Sequence, residues 1–463
     1  MIETTVIRGK WFLTSDTTKK VHGTLTCDPL KGIQLEIEEP LEGNEETFEL
    51  ELSKADIILG ESRDGVPITL YSCFRTGSSW GGSYSATWYV NKAFVGCHEL
   101  DPSAIYFTEI VLRVRPLFLW LDSSGIRINN SQTPGLSVTF SYTKPDDIDI
   151  PIDEKVFGKI RFHSSYSIPS TYSESIKLTH WASISIQTIG DDLTHIELWE
   201  YIQRFLNWLT VTTGYPHDIE KVSYFHENLI DRILSDGTKI RQEVILYSKK
   251  QRVIKKPERP DQLLFTYPDL KKCMPDVLTH WFSLYQSIEA VIQILSENMG
   301  RDIAFSEFHF KDIIQALEAF HRKRVRNEKM PSEDYEAYKN QVICQLNSEE
   351  DRSFVEGRLK YGNEPTLKER LGELIERQRN IPSLQSIIGK KKTFIWQVTE
   401  NRNYLTHLDE SGKSGILHSI DLYHLSERAL ALLFVTVISE VIPEGSIIDN
   451  ALKTSSRFRN YIK

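Results

Sequence analysis

The spacing of the apolar residues changes along this chain, and the change limits the possible folds more than any other feature. From about residue 20 to residue 190, apolar and polar residues alternate, as they do in residues 32–38. Such alternation is typical of half-buried β-strands, and residues 87–95, 105–114 and 182–187 continue it. Because no segment with helical spacing separates these stretches, we expect an antiparallel sandwich or barrel rather than a parallel sheet.

Near residue 194 the spacing becomes helical. Thr194 and Glu197 have the positions of a capping box, and apolar residues such as Leu198 and Ile202 follow on one face. We expect this helix to end at Gly214. We also expect the strand pattern to close where the helix begins.

The last part of the chain has helical spacing. A basic, proline-containing segment over residues 249–260 predicts a connector, so we expect a β-rich domain over residues 1–250 and a helical domain over residues 260–463. The fold class is therefore α+β, an antiparallel β-rich domain followed by an all-α bundle. The predicted bundle helices cover residues 276–296, 310–324, 332–346, 366–377, 391–408 and 420–441.

Composition excludes several classes of protein. The 463-residue chain has a net charge of −9, so any RNA binding must depend on local basic clusters. Its five cysteines form no Cys-x-x-Cys pair, no His-Glu-x-x-His motif is present, and we expect neither a metal nor another cofactor.

The chain starts without a signal sequence and its longest apolar run, residues 429–438, is too short to span a bilayer. We expect a soluble, cytoplasmic protein with no membrane partner.

A possible catalytic group lies in one late helix. Asn403 and His407 are four residues apart and therefore share a helix face, while Arg402 lies one step round with a side chain long enough to reach the same point. A guanidinium can hold a phosphate, and an imidazole can move a proton beside it. The spacing also occurs by chance, and the alternative is a surface ion pair for Arg402 and a structural hydrogen bond for His407.

The late motif and the helical pattern around it resemble the HEPN family of small helical bundles, many of which are metal-independent ribonucleases with an Arg-x4-6-His motif. The first half resembles the β-rich amino-terminal domain of ApeA-type anti-phage HEPN proteins. That second resemblance rests on residues 9–12 (Gly-Lys-Trp-Phe), 22–26 (His-Gly-Thr-Leu-Thr), 58–60 (Ile-Leu-Gly) and 68–70 (Ile-Thr-Leu). Together the two resemblances cover most of the chain.

The resemblance implies a function. Such a protein would be an endoribonuclease that acts in anti-phage defence by abortive infection. His407 would be the general acid or base, Arg402 would hold the phosphate, and Asn403 would be the polar residue that often follows the arginine. An acidic residue on an early helix, here Glu318, would orient Arg402 or His407, although an ion pair with Arg322 is an equal alternative.

The resemblance also implies partners. RNA is the expected substrate, with tRNA as one candidate, and a phage-derived protein is a candidate trigger for the β-rich domain. Because one bundle supplies one arginine and one histidine, a homodimer with a composite site is expected. The basic residues that are candidates for RNA contact, or else belong to a solvated face, are Arg322, Arg324, Arg326, Lys391 and Lys392.

Two other functions fit parts of the pattern. A non-catalytic HEPN scaffold would keep the architecture, use the β-rich domain to bind a protein and leave Arg402 and His407 with structural roles. A carbohydrate-binding β-sandwich with a helical appendage would leave the late motif unexplained.

Overall fold

The structure is a computed structural model that describes residues 4–41, 53–81, 83–99, 105–131, 137–167, 172, 177–249, 257–301, 305–407 and 415–462. Residues 250–256 of the predicted connector and Leu408 of a predicted helix lie outside these ranges. The chain divides into two compact units. One contains residues 1–205 and 217–256, and the other contains residues 206–216 and 257–463.

The first unit is built from antiparallel strands. They are β1 (Thr5–Leu13), β2 (Asp16–Asp28), β3 (Gly32–Ile37), β4 (Lys54–Ser62), β5 (Pro67–Gly81), β6 (Ser83–Val95), β7 (Tyr106–Phe107), β8 (Glu109–Arg115), β9 (Ile126–Ser131), β10 (Ser137–Tyr142), β11 (Ile148–Pro151), β12 (Val156–Tyr166), β13 (Leu178–Thr188), β14 (Leu193–Thr194), β15 (Asp218–Phe225), β16 (Ile230–Ile233), β17 (Lys239–Arg241) and β18 (Val244–Ser248). The helices α1 (Leu117–Leu121) and α2 (His195–Thr213) interrupt the series.

Six strands close into a barrel. Their order is β6-β3-β2-β1-β4-β5, and β5 also pairs with β6, which completes the ring. Alternate side chains fill the interior, including Trp11, Leu25 and Leu70, all fully buried. Gly60 lies opposite Trp11 across the β1–β4 pair, and a Cβ at Gly60 would lie 2.2 Å from the Trp11 ring, so glycine makes room for the indole. The predicted antiparallel β-rich domain is confirmed, as a barrel with an extension.

The extension continues the sheet in the order β18-β15-β8-β13-β12-β11. The expectation that the strand pattern closes at residue 194 was wrong, because β15 and β18 follow α2 and pair with each other. A register shift between Ile219 and Lys221 breaks the alternation in β15 and hides the strand in the sequence.

The helix predicted at this point is confirmed as α2. The Thr194 backbone N–H donates to Glu197 Oε2 at 2.9 Å and the Glu197 N–H donates to Thr194 Oγ1 at 3.2 Å, which is the predicted capping box. Gly214, with φ of +73°, ends the helix in the left-handed conformation that favours glycine.

The second unit is helical. Its remaining helices are α3 (Tyr267–Leu270), α4 (Met274–Met299), α5 (Glu307–Arg324), α6 (Ser332–Ile343), α7 (Glu349–Leu359), α8 (Leu367–Arg377), α9 (Pro382–Ile388), α10 (Lys391–His407), α11 (Ser419–Ile438) and α12 (Gly445–Thr454). The predicted all-α bundle is confirmed. The sequence pattern missed α3, α7, α9 and α12. In α7 no residue is buried, so the helix has no apolar stripe for a periodicity argument to detect.

Among the described residues, no helix combines the length and the apolar character that crossing a bilayer requires.

Candidate active site

The predicted catalytic residues lie at the C-terminal end of α10. This helix packs against α5, α8 and α11, and its buried residues include Phe394 and Val398, four residues apart on one face. The burial of this face fixes the rotation of the helix about its axis. As a result, the directions in which the side chains of Arg402, Asn403 and His407 project from α10 are fixed.

Among the described residues, the Arg402 side chain has two polar partners. Its Nη2 lies 3.5 Å from Glu318 Oε2 on α5, and its Nη1 donates to Asn403 Oδ1 at 3.4 Å. The Arg402 side chain is 33% exposed and the Glu318 side chain 27%, so the guanidinium remains open to solvent on one side. Glu318 therefore contacts Arg402, and the alternative pair with Arg322 does not form, because Arg322 bonds Glu364 instead.

Asn403 and His407 are both exposed. Since they are four residues apart on a continuous helix, their side chains lie one above the other on the same face. Arg402 reaches this face through its contact with Asn403. The structure thus brings Arg402, Asn403 and Glu318 into contact, and within the described residues no hydrogen bond or ion pair joins the His407 side chain to them.

The basic residues proposed for RNA contact are mostly paired with carboxylates. The ion pairs are Arg322–Glu364 at 3.0 Å, Arg324–Glu440 at 2.7 Å, Arg326–Glu373 and Lys391–Glu376 at 3.4 Å. Lys392 is exposed, and no ion pair holds it within the described part of the chain. Of the five candidates, Lys392 is therefore the one that can meet a phosphate without first leaving an acidic partner.

A buried polar cluster beside the site was missed by the sequence analysis. Arg370 on α8 is 1% exposed and His321 on α5 is 0% exposed. Arg370 Nη1 donates to His321 Nδ1 at 3.1 Å, and its other N–H groups donate to Pro365 O at 3.0 Å and Asn327 Oδ1 at 3.1 Å. The sequence signal for this cluster is the position of Arg370, which lies four residues before buried Leu374 and therefore on the apolar side of α8.

The cluster defines the protonation of His321. A guanidinium can only donate hydrogen bonds, so Nδ1 of His321 must accept, and Nε2–H donates to Glu373 Oε2 at 3.0 Å. Burial lowers the pKa of His321, and the charge of Arg370 acts in the same direction while Glu373 opposes it. A neutral His321 thus joins α5 to α8 and has no free nitrogen for chemistry.

Asn401 is a second residue that the sequence analysis missed. Its side chain is 1% exposed, and its Nδ2 donates to Gly415 O at 3.0 Å while its Oδ1 accepts the Leu417 N–H at 2.7 Å. One buried amide therefore fixes the backbone that leads into α11 against the middle of α10.

The described residues contain no group of three or more His, Cys, Asp or Glu side chains that could hold a metal ion.

Comparison with protein families assigns the chain. A model described as ApeA N-terminal domain 1 matches residues 6–281, more than half of the 463 residues. A second model, Apea-like HEPN, matches residues 312–441. The chain belongs to the ApeA-like HEPN proteins. The HEPN match includes Glu318, Arg402 and His407. No curated protein and no solved structure was found to match the chain.

HEPN domains are generally ribonucleases, and a HEPN domain joined to an ApeA-type N-terminal domain suggests a nuclease-like function in anti-phage defence. In this ApeA-like HEPN protein the end of α10 carries an arginine, an amide and a histidine, at Arg402, Asn403 and His407.

The buried cluster yields a stability prediction. Arg370→Ala removes the donor that satisfies His321 Nδ1 and the buried Pro365 O, and we expect it to lower the free energy of unfolding by about 3 kcal/mol. Arg379→Ala is the matched control, because Arg379 is 80% exposed and should change stability by less than about 0.5 kcal/mol. Urea unfolding of the full-length chain measures both. Equal unfolding midpoints for the two variants would show that the cluster does not stabilise the helical unit.

Proposed function

We propose that this chain is a metal-independent endoribonuclease that acts in anti-phage defence by abortive infection. The observation that carries the proposal is the arrangement on α10, where the Arg402 guanidinium is held beside Glu318 and Asn403 and exposed His407 lies one turn beyond Asn403. The match to the HEPN family model, which includes these residues, supports the proposal, because HEPN domains are generally ribonucleases.

In the proposed reaction the 2′-hydroxyl of RNA attacks the adjacent phosphorus and the 5′-oxygen of the next nucleotide leaves. His407 is the general base or the general acid, which moves the proton of the attacking or the leaving oxygen. Arg402 donates to the phosphate oxygens and stabilises the additional negative charge of the transition state. Asn403 holds the guanidinium over the face that carries His407.

The contact with Glu318 fits this role energetically. An ion pair between partly exposed side chains at 3.5 Å contributes about 0–1 kcal/mol, so exchanging the carboxylate for a phosphate costs little. In the absence of RNA, the ion pair with Glu318 keeps the Arg402 side chain in one orientation. Glu318 is therefore a positioning residue in this proposal, and Arg402 and His407 are the catalytic residues.

A second copy of the chain completes the proposed site. Cleavage needs both a base and an acid, and each chain supplies one such motif histidine. We propose a homodimer in which two motifs face each other across a two-fold axis and form one composite site. The exposure of Asn403 and His407 supports this arrangement, because side chains that meet a partner must be accessible in the single chain.

The β-rich domain is proposed to restrain the nuclease. An unrestrained ribonuclease in the cytoplasm would destroy the RNA of its own cell. Among cellular RNAs, tRNA is a candidate substrate. A phage-derived protein is the proposed trigger. If it preferred the active state by about 3 kcal/mol, the population ratio of the two states would shift more than a hundredfold.

A non-catalytic scaffold is the second candidate function. The carboxylate partners of Arg322, Arg324, Arg326 and Lys391 favour it, because they reduce the positive charge available to RNA. In that function the Arg402–Glu318 pair is a surface contact between two helices.

Substitutions at the motif test the catalytic role. His407→Ala and Arg402→Ala should each lower the rate of RNA cleavage in EDTA by about a hundredfold, the usual effect of losing a general acid or base or a charge-stabilising group. The controls are His280→Ala and Arg379→Ala, which change two exposed residues of the same unit. Both control variants should cleave RNA at the rate of the unmodified chain. If the motif variants fold correctly and cleave RNA at an unchanged rate, the catalytic role is contradicted and the non-catalytic scaffold function is favoured.

A mixing experiment tests the composite site. Co-expression of the unmodified chain with an excess of the His407→Ala chain should lower the activity per unmodified chain, because most unmodified chains then share a site with an inactive one. Cleavage by purified mixed species, with light scattering to give their size, measures this effect. A monomer with full activity would contradict the dimeric site.

Infection tests the restraint. In cells that express the full-length chain, RNA cleavage that depends on His407 should be absent before phage infection and appear after it. Cleavage at the same rate before and after infection would show that the β-rich domain does not restrain the bundle.

A further inference from the structure

An exposed tryptophan lies on the same helix face as the proposed catalytic residues. Trp396 is 41% exposed, which is uncommon for so large an apolar side chain. With about 3.6 residues per turn, positions 392, 396, 403 and 407 lie close to one line along α10. Lys392, Trp396, Asn403 and His407 are all exposed, and we call these four residues the α10 stripe.

The backbone after residue 414 supports the Trp396 ring. A Cβ at Gly415 would lie 2.6 Å from Trp396 Cη2, so the chain passes directly against the indole and only glycine leaves room for it. Buried Asn401 holds this backbone through Gly415 O and the Leu417 N–H. The ring is therefore supported in one position while much of it faces solvent. A preformed aromatic surface loses little conformational entropy when a ligand binds.

The charge near Trp396 indicates the kind of ligand. Lys390 and Lys392 are exposed at the start of α10, and no ion pair holds either of them in the part of the chain that the structure describes. Aromatic rings that stack on bases, next to cations that contact phosphates, are the usual combination for binding single-stranded nucleic acid.

The spacing connects this surface to the proposed active site. Trp396 and His407 are eleven residues apart on one helix, which at about 1.5 Å per residue gives a span of about 16 Å. Such a span corresponds to a few nucleotides of a single strand rather than to the reacting nucleotide itself. Trp396 would therefore contact a base next to the cleavage position.

We propose that Trp396 is a binding subsite for a base of single-stranded RNA, a few nucleotides from the phosphate at His407, with Lys392 contacting the backbone on the far side of that base. The proposal rests on the ribonuclease function proposed above and extends it, because it names a residue that selects unpaired RNA. Duplex RNA buries its base faces in stacking and cannot use this subsite.

The test uses the full-length chain and short single-stranded RNA that carries one abasic site, moved through the sequence one position at a time. Binding is measured in His407→Ala chains, which do not consume the RNA. Trp396→Ala should weaken binding of the intact oligonucleotide about tenfold, which is within the range for one stacked base. One abasic position should weaken binding to the same degree, and at that position Trp396→Ala should cause no further loss.

Three further variants separate stacking from other effects. Trp396→Phe should restore most of the affinity, because it keeps an aromatic face. Gly415→Ala should weaken binding, because its Cβ displaces the ring without removing it. Phe354→Ala removes a residue that is 65% exposed on α7 and should have no effect.

The outcomes distinguish this proposal from the function on which it rests. If cleavage depends on His407 but Trp396→Ala binds RNA as tightly as its parent, only the stacking subsite is overturned. A Trp396→Ala chain that becomes monomeric by light scattering would show that the ring belongs to a dimer contact, which also overturns it. If His407→Ala cleaves as fast as the unmodified chain, or the chain binds no RNA, the ribonuclease function fails and the subsite fails with it.

Discussion

A buried cation holds α5 against α8, and the position of the proposed active site depends on this contact. Arg370 lies inside the bundle, and its hydrogen bonds to His321 and to the segment after α5 join α8 to α5. Removing a charged group from water is costly unless its donors are satisfied, so these two helices are held in one relative position. Because α10 packs against both, the same constraint brings Arg402 to within 3.5 Å of Glu318.

This constraint also affects recognition of the substrate. The arginines at the end of α5 are engaged by carboxylates, so they stabilise the bundle more than they attract RNA. For a chain with a net charge of −9, that leaves few cations for a substrate. Lys392 and Trp396 lie on the face that carries His407, so a few residues of one helix would both select the RNA and cut it.

Periodicity in the sequence predicted the elements whose apolar residues repeat regularly, such as α10, where Phe394 and Val398 mark the buried face. It failed where local features disturb the repeat, as in β15 with its bulge and in α7 with no buried residue. The motif at Arg402 could be found because its residues are neighbours in the chain. The Arg370 cluster joins residues 49 positions apart, and no local pattern encodes such a pairing.

The measurement that tests the central claim most directly is the chemistry of the RNA ends left by the purified full-length chain in EDTA. Attack by the 2′-hydroxyl, assisted by His407 and Arg402, predicts a 2′,3′-cyclic phosphate on one fragment and a 5′-hydroxyl on the other. These ends should be absent from reactions of the His407→Ala chain. Fragments that end in a 3′-hydroxyl and a 5′-phosphate, or cleavage that stops when EDTA is added, would contradict the account.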